Sequence, residues 1–229
     1  MICIYLLLVI PVCLLIAEKE TEVGFKIKPK HTGTKRIFDN PVLERLSRTH
    51  ISVPVSMFLL LSTGLLWYAF IYTTLPAYLI PILFVLGFLS FTLLEYLAHR
   101  YLFHMQPNKK WKRKAQYHMH GIHHEFPKDK DRLAMPPLLS AMLAMGFFLL
   151  FYSLMHTKVF GFLPGFMTGY ASYLLVHYII HAYPPPKNFF KELWVNHAIH
   201  HYKDDTVIFG VSSPLWDYIF GTTLKRKKK

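Results

Sequence analysis

Apolar side chains run along most of this chain without the regular polar interruptions that mark the wet face of a soluble helix or strand. No Asp, Glu, Lys or Arg occurs over residues 49–94, a run of 46. Two more uncharged runs, residues 133–157 and 159–186 (25 and 28 residues), are separated only by Lys158. About 20 such residues cross a bilayer as a helix, so the pattern is that of an integral membrane protein. The 46-residue run is too long for one crossing. At 1.5 Å per residue it reaches about 69 Å, roughly two bilayer cores. Thr73, Thr74, Leu75 and Pro76 are the expected turn, because proline disfavours helix in the residue before it. This gives crossings near 51–72 and 77–97. Two more are expected near 135–155 and 162–182, with Gly161, Pro164 and Gly165 marking the turn between them. A further apolar segment, residues 1–17, reads as a retained anchor rather than a signal peptide. No charge precedes Glu18, and Leu15 stands where the first small residue of a cleavage site belongs. The expected fold is therefore all-α, with four to five transmembrane helices.

Charge then orients the chain. The formal net charge is +13, and residues 18–50, 98–132 and 183–229 hold 8, 9 and 8 of the 26 Lys and Arg. Two hairpins put these three segments on one side, which the positive-inside rule makes cytoplasmic. The turns near 73–78 and 157–165 face the other side. The excess of basic residues thus needs no nucleic-acid partner, and no nucleic-acid-binding motif is present. The tail Lys225–Lys229 suits anionic lipid headgroups, and the run Lys109–Lys114 reads as a solvated or headgroup-facing loop. Of 229 residues only Cys3 and Cys13 are cysteine, which excludes a disulfide scaffold and a cysteine-based metal site.

The 14 histidines supply the chemistry. Ten form four groups: His99 and His104; His120, His123 and His124; His177 and His181; His197, His200 and His201. Each lies on the expected cytoplasmic side or at that end of a crossing. Positions i, i+3 and i+4 share a helix face, so both HxxHH groups present clusters, as does the pair His177/His181. His99 and His104 are five apart: either the helix ends between them or they serve different metals. A lone HxxxH is ordinary packing, but four such groups on one membrane face are not, since ionisable groups at membrane depth are costly. His31, His50, His118 and His156 stand outside the pattern and read as ordinary surface or core residues. Ten imidazoles exceed what one ion takes, which suggests two metals. Neither a closed Cys/His zinc site nor an HExxH protease fits, because His124-Glu125-Phe126-Pro127-Lys128 lacks the second histidine.

From about Phe38 onward the chain resembles the integral-membrane fatty acid hydroxylase superfamily, which also holds sterol desaturases. Within it the closest likeness is to fatty acid 2-hydroxylases acting on ceramide acyl chains. The stretches HGIHHEFPKDKDRLAMPP (120–137) and HHYKDDTVIFGVSSPLWDYIFGTT (200–223) carry the likeness. The resemblance implies a membrane hydroxylase domain over 51–229, preceded by an anchor and cytoplasmic linker over 1–50. It implies a cytoplasmic, histidine-rich helical cap holding two Fe ions on the ten named histidines, a site that can be isolated loaded with Zn. O2 would be the oxidant, a membrane lipid the substrate, and a separate small b-type cytochrome or ferredoxin system the electron donor. The membrane would be the inner one in a bacterium or the endoplasmic reticulum in a eukaryote. Two alternatives are a sterol desaturase or carotenoid hydroxylase type of oxygenase, and a non-enzymatic metal-binding membrane protein. Gln116 stands where members often carry another histidine, and Tyr173-Leu174 where they often have Tyr-Asp.

Imidazole-only ligation leads to an expected metal separation of about 5–6 Å. His123/His124 and His200/His201 should each split between the two ions, because adjacent side chains on a helix diverge. All-nitrogen ligation leaves a cationic site, which carboxylates could offset by accepting imidazole N–H groups. Glu95, one turn before His99, is the first candidate, against the reading of a charge placed at the membrane interface. Asp131, Asp204 and Asp217 follow.

Overall fold

The computed structural model describes residues 27–105 and 109–224; the expected anchor over 1–17 and the basic tail over 225–229 lie outside the described residues. Helices are joined by turns, with no strand among the described residues. After a short helix α1 (Pro41–Leu46), capped by the Asn40 side chain on Val42 N and Leu43 N, come two long apolar helices. These are α2 (Ser52–Tyr72) and α3 (Leu79–Leu97). The expected turn lies between them: Thr73 is extended and its hydroxyl donates to Ala69 O, 2.6 Å away, closing α2. The cap begins with α4 (Lys110–Gln116) and α5 (Ile122–Glu125). The chain then re-enters the apolar layer as α6 (Pro137–Met155) and α7 (Val159–Ala182), and ends in α8 (Lys191–Tyr202) and α9 (Leu215–Phe220).

Among the described residues, three stretches are long and apolar enough to cross a membrane: Ser52–Tyr72, Leu79–Phe103 and Lys130–Ala182. The third holds two helices folded back on each other. Phe151 meets Phe162 and Phe147 meets Phe166, both with ring centroids 5.0 Å apart, as antiparallel neighbours must. Leucines point outward along these helices, with Leu60 72% and Leu138 76% exposed. Helices apolar all round, with little of that surface buried, suit a lipid environment.

The reversal between α6 and α7 is not where the glycines and proline suggested. It falls at His156–Lys158, where His156 takes a positive φ of 50°. His-Thr-Lys is the polar break in this apolar stretch, and that is where the chain leaves it. Gly161, Pro164 and Gly165 lie inside α7 and serve packing. A Cβ on Gly165 would sit 1.8 Å from Phe84 O, and one on Gly87 1.9 Å from Phe162 O. The backbones of α3 and α7 therefore touch. Without a hydrophobic driving force between helices in lipid, small residues that permit such contact hold helices together. Pro164 sits in the second turn of α7, and its carbonyl accepts from the buried Ser62 hydroxyl of α2 at 2.9 Å. Phe58, Phe91, Phe166 and Met167 fill the remaining core.

This packing fixes the site. Tyr68 meets Phe160 at 4.6 Å, so the α2–α3 and α6–α7 turns share one end of the bundle. From Val159 to His181, α7 rises about 33 Å, which carries its histidines to the opposite end. There Arg132, nearly buried, bonds Glu44 at 2.5 Å and Ser47 at 3.0 Å, tying α1 to the cap. Two backbone hydrogen bonds on Ile37 and Phe38 hold the Glu44 carboxyl down at about 2, with Arg48 and Arg132 adding to the effect.

Gly165→Ala should destabilise the bundle by about 1–3 kcal/mol or more through overpacking. Gly146→Ala on α6, where a Cβ meets nothing within 4 Å, should not. Thermal unfolding in detergent distinguishes the two; equal midpoints would contradict the close α3–α7 contact.

Candidate metal centre

Two departures from α-helical winding shape the site. The end of α3 continues as a π-helical turn over Ala98–Phe103, closed by His104 N donating to His99 O at 3.1 Å. On an α-helix, residues five apart point about 140° away from each other. In the wider turn the i→i+5 bond stacks them, so His99 and His104 face the same way. They belong to one group, which removes the reading that they serve different metals. A second π-helical turn, Tyr117–Gly121, leads from α4 into α5 and delivers His120 beside His124. Gly121 is required here, since a Cβ would press to 2.7 Å on the Tyr117 ring. Single π turns of this kind often mark functional sites. Helix α7 supplies His177 and His181, and α8 supplies His197, His200 and His201.

All ten converge. His99, His104, His120, His124 and His200 form one group and His123, His177, His181, His197 and His201 a second; within each, one nitrogen per residue lies within 4.8 Å of all the others. Adjacent histidines divide between the groups, His123 from His124 and His200 from His201. Eight of the ten are buried, with His104 and His181 partly exposed. His31, His50, His118 and His156 join neither group: His31 stacks on Tyr202, His50 bonds Ser52, and His118 bonds Lys114 O.

The spacing tests whether an ion fits. Neighbouring Nε2 atoms stand 2.7–3.1 Å apart, running His123–His177–His181–His197–His201 and back to His123 in one group. In the other, His99–His120, His120–His124 and His104–His200 are 3.1, 3.0 and 2.9 Å. An ion about 2.0–2.1 Å from each nitrogen sets adjacent ligands about 2.8–3.0 Å apart on an octahedron and about 3.3–3.4 Å apart on a tetrahedron. The edges match the octahedron, and five ligands leave one position open.

Tautomers agree with this. His99 Nδ1 lies 2.6 Å from Phe209 O, and His200 Nδ1 lies 2.8 Å from Val207 O. A carbonyl only accepts, so each Nδ1 carries the proton and each Nε2 turns a bare lone pair inward, ready for a cation. Burial, reinforced by neighbouring imidazoles, holds His120, His123, His197 and His201 well below the usual 6.5 and pushes His124 down to about 3. Neutral imidazoles are what a metal requires.

The carboxylates act otherwise than expected. Glu95 accepts no imidazole N–H; it takes the backbone N–H groups of Val211 and Ser212, both at 2.9 Å, and the Ser212 hydroxyl. Asp217 similarly takes Phe209 N and Gly210 N at 2.8 Å. Asp204 accepts from Thr206 in its own turn, and Asp131 lends its backbone carbonyl to Thr49 N. Two imidazole N–H groups, those of His99 and His200, bond backbone carbonyls of the same segment instead. Several contributors escaped the sequence reading: the Val207 and Phe209 carbonyls, Tyr173 stacked on His177 at 5.5 Å, and Phe103 stacked on His120 at 5.0 Å. A carbonyl leaves no signature in sequence, whereas Tyr173, one turn before His177, could have been found by helical spacing. Gln116 donates to Phe103 O at 2.8 Å, bracing the two π turns, and Leu174 is buried against Ile51 and Ala134.

The described family model "Fatty acid hydroxylase" matches residues 84–222. A dihydroceramide fatty acyl 2-hydroxylase of Arabidopsis thaliana is 38% identical over 144 residues, 62% of this chain and 61% of that protein. A ceramide very long chain fatty acid hydroxylase of Schizosaccharomyces pombe is 34% identical over 205 residues, 85% of this chain and 57% of that one. A fatty acid 2-hydroxylase of Rattus norvegicus is 38% identical, covering 62% of this chain and 39% of its own. The chain thus spans less than two thirds of the length of these relatives. A solved structure described as full-length scs7p, with only its hydroxylase domain visible, superimposes with a TM-score of 0.77 at 33% identity, covering 86% of this chain and 75% of that one.

The depressed histidines have a consequence for stability. Below pH 6.5 the unfolded chain takes up protons that the folded one refuses, so stability is full above that pH and falls as pH drops through it. The unfolding midpoint of metal-free protein in detergent should be lower at about pH 5.5 than at about pH 7.5; a flat profile would contradict the buried, neutral cluster.

Proposed function

Because the chain belongs to the fatty acid hydroxylase family, we propose that it hydroxylates a lipid acyl chain at carbon 2, the chain being amide-linked in a sphingolipid of the ceramide type. The observation that carries this is the pair of five-histidine groups at one end of an apolar bundle. The ten histidines would hold two iron ions, His99, His104, His120, His124 and His200 one, and His123, His177, His181, His197 and His201 the other. Bound iron supplies the redox chemistry that lets O2 attack an unactivated C–H bond, which no side chain can do. Each turnover consumes one O2, two electrons and two protons, converts C–H to C–OH and releases one water.

The protein's own residues set where the lipid lies. An apolar cavity of about 100 Å³ between the helices is lined by Phe58, Phe91, Ser140, Phe166 and Tyr170 among others. Tyr170 stacks on Tyr173, which stacks on His177, so this aromatic ladder leads from the cavity to the second histidine group. An acyl tail lying in the bundle and a headgroup at the surface put carbon 2, next to the carbonyl, at the depth of the histidines. A mid-chain carbon would have to bend back to reach them.

The histidine end faces the cytoplasm in this reading, with the hydroxylase domain over 51–229 and an anchor and linker over 1–50. The membrane is the inner one in a bacterium or the endoplasmic reticulum in a eukaryote. Electrons come from a separate carrier, a small b-type cytochrome or a ferredoxin system. An open cavity of about 640 Å³ on the cap, lined by Lys28, Lys30, Lys35, Lys110, Arg113 and Lys114, suits an acidic carrier surface. Its wall includes Tyr117, three residues before His120.

Mass spectrometry of lipids from cells expressing the wild type or His120→Ala tests the reaction. The wild type should raise the 2-hydroxyacyl pool and the variant should not. An unchanged pool, with a new double bond or a hydroxylated isoprenoid instead, would assign the chain to another oxygenase type.

A further inference from the structure

The two histidine groups are supported very differently. His99 and His200 of the first group each donate Nδ1–H to a backbone carbonyl, Phe209 O and Val207 O. In the second group, the Nδ1 atoms of His123, His177 and His201 are buried with no hydrogen-bond partner among the described residues. Both carbonyls come from one short segment between α8 and α9.

Five consecutive backbone N–H groups of this segment are tied down. Ile208 N donates to Thr222 O at 2.9 Å. Phe209 N and Gly210 N donate to the two oxygens of Asp217, and Val211 N and Ser212 N to one oxygen of Glu95. Asp217 is 1% exposed and Glu95 8%. Thr222 gives its hydroxyl to Asp217 at 2.6 Å and contacts the Tyr96 hydroxyl at 3.0 Å. The clamp therefore joins α3, one turn before His99, to α9. Nothing but glycine fits at 210, where a Cβ would lie 2.2 Å from Ser213 O and 2.8 Å from Asp217 Oδ2.

The segment is also strained. Ile208, between the two carbonyls, has a φ of +58°. A β-branched residue adopts the left-handed region only where its surroundings over-determine it, and such strain gathers at functional sites. Here the strained residue turns the carbonyls of 207 and 209 toward two different histidines of the same group.

We propose that Asp217 and Glu95 are positioning residues for one metal site only: by capturing the N–H groups of 209–212 they aim two carbonyls at His99 and His200, and so preorganise the first histidine group independently of the second. A ligating histidine whose outer nitrogen is bonded is fixed in rotation and tautomer, and losing such a partner costs about 10–100-fold in metal affinity. The two ions are thus held unequally, the first by an anchored cage and the second by a looser one beside Tyr173 and the apolar cavity. The inference rests on the reading that both groups bind metal.

The test uses the full chain in detergent, loaded with Zn and titrated with a chelator while metal content is followed by elemental analysis. The wild type should release its two ions in two steps. Asp217→Asn and Glu95→Gln should each weaken one equivalent by about 10–100-fold and leave the other unchanged. In a His200→Ala background, where the second group alone is intact, Asp217→Asn should no longer change the affinity of that remaining ion. Thr222→Val, which removes one bond from Asp217, should act in the same direction more weakly and serves if the carboxylate variants fail to fold. Equal weakening of both equivalents, or a lower unfolding temperature with both affinities unchanged, would overturn the inference. A wild type that binds no metal would instead overturn the metal reading itself.

Discussion

Ten imidazoles with nitrogens 2.7–3.1 Å apart have no reason to stand together on their own. Eight of the ten are buried, each turns a lone pair or a polar N–H toward another, and no carboxylate sits among them to compensate. Burial keeps the cap histidines His120, His123, His124, His197 and His201 neutral, and a bound cation would satisfy the clusters. Much of the remaining structure makes sense as the framework needed to impose that crowding. Rigid elements must bring donors from α3, the α4–α5 segment, α7 and α8 to two points with little error.

The framework begins far from the site. Backbone contact between α3 and α7 at Gly87 and Gly165, with Gly161 and Gly169 seated against the Leu83 and Phe91 side chains, sets the distance between the helices that carry His99 and His177. The π turns then adjust aim locally, one stacking His99 over His104 and the other bringing His120 beside His124. Outside these, Lys30 pairs with Glu125 at 2.5 Å, Tyr117 donates to the same carboxylate, and Arg132 bridges to Glu44, closing a polar belt around the cap. The apolar half, whose outward leucines suit lipid, is held by close packing of side chains and backbone instead. Order at the polar end depends on charge, and order at the apolar end depends on shape.

Much of this was legible in the sequence because it is periodic or compositional. The long uncharged runs give the helices, and i, i+4 spacing gives the pairs His120/His124, His177/His181 and His197/His201. What escaped is what depends on departures from regularity or on the backbone. A five-residue interval between His99 and His104 has no α-helical face, and only the π turn gives it one. The glycines of α7 resemble turn residues in a soluble protein, yet in an apolar helix they are contact residues, and the turn follows the polar triplet His156–Lys158 instead. Glu95 was visible one turn before His99, but its partners are amides of a segment over a hundred residues later in the chain. No local spacing rule reports such a contact.

The two five-histidine groups, with neighbouring histidines divided between them, are proposed to hold two separate ions. Anomalous scattering from crystals of the iron-loaded protein tests this most directly. The account predicts two peaks, one enclosed by His99, His104, His120, His124 and His200 and the other by His123, His177, His181, His197 and His201. A single peak shared by all ten, or an ion bound by both His123 and His124, would contradict it.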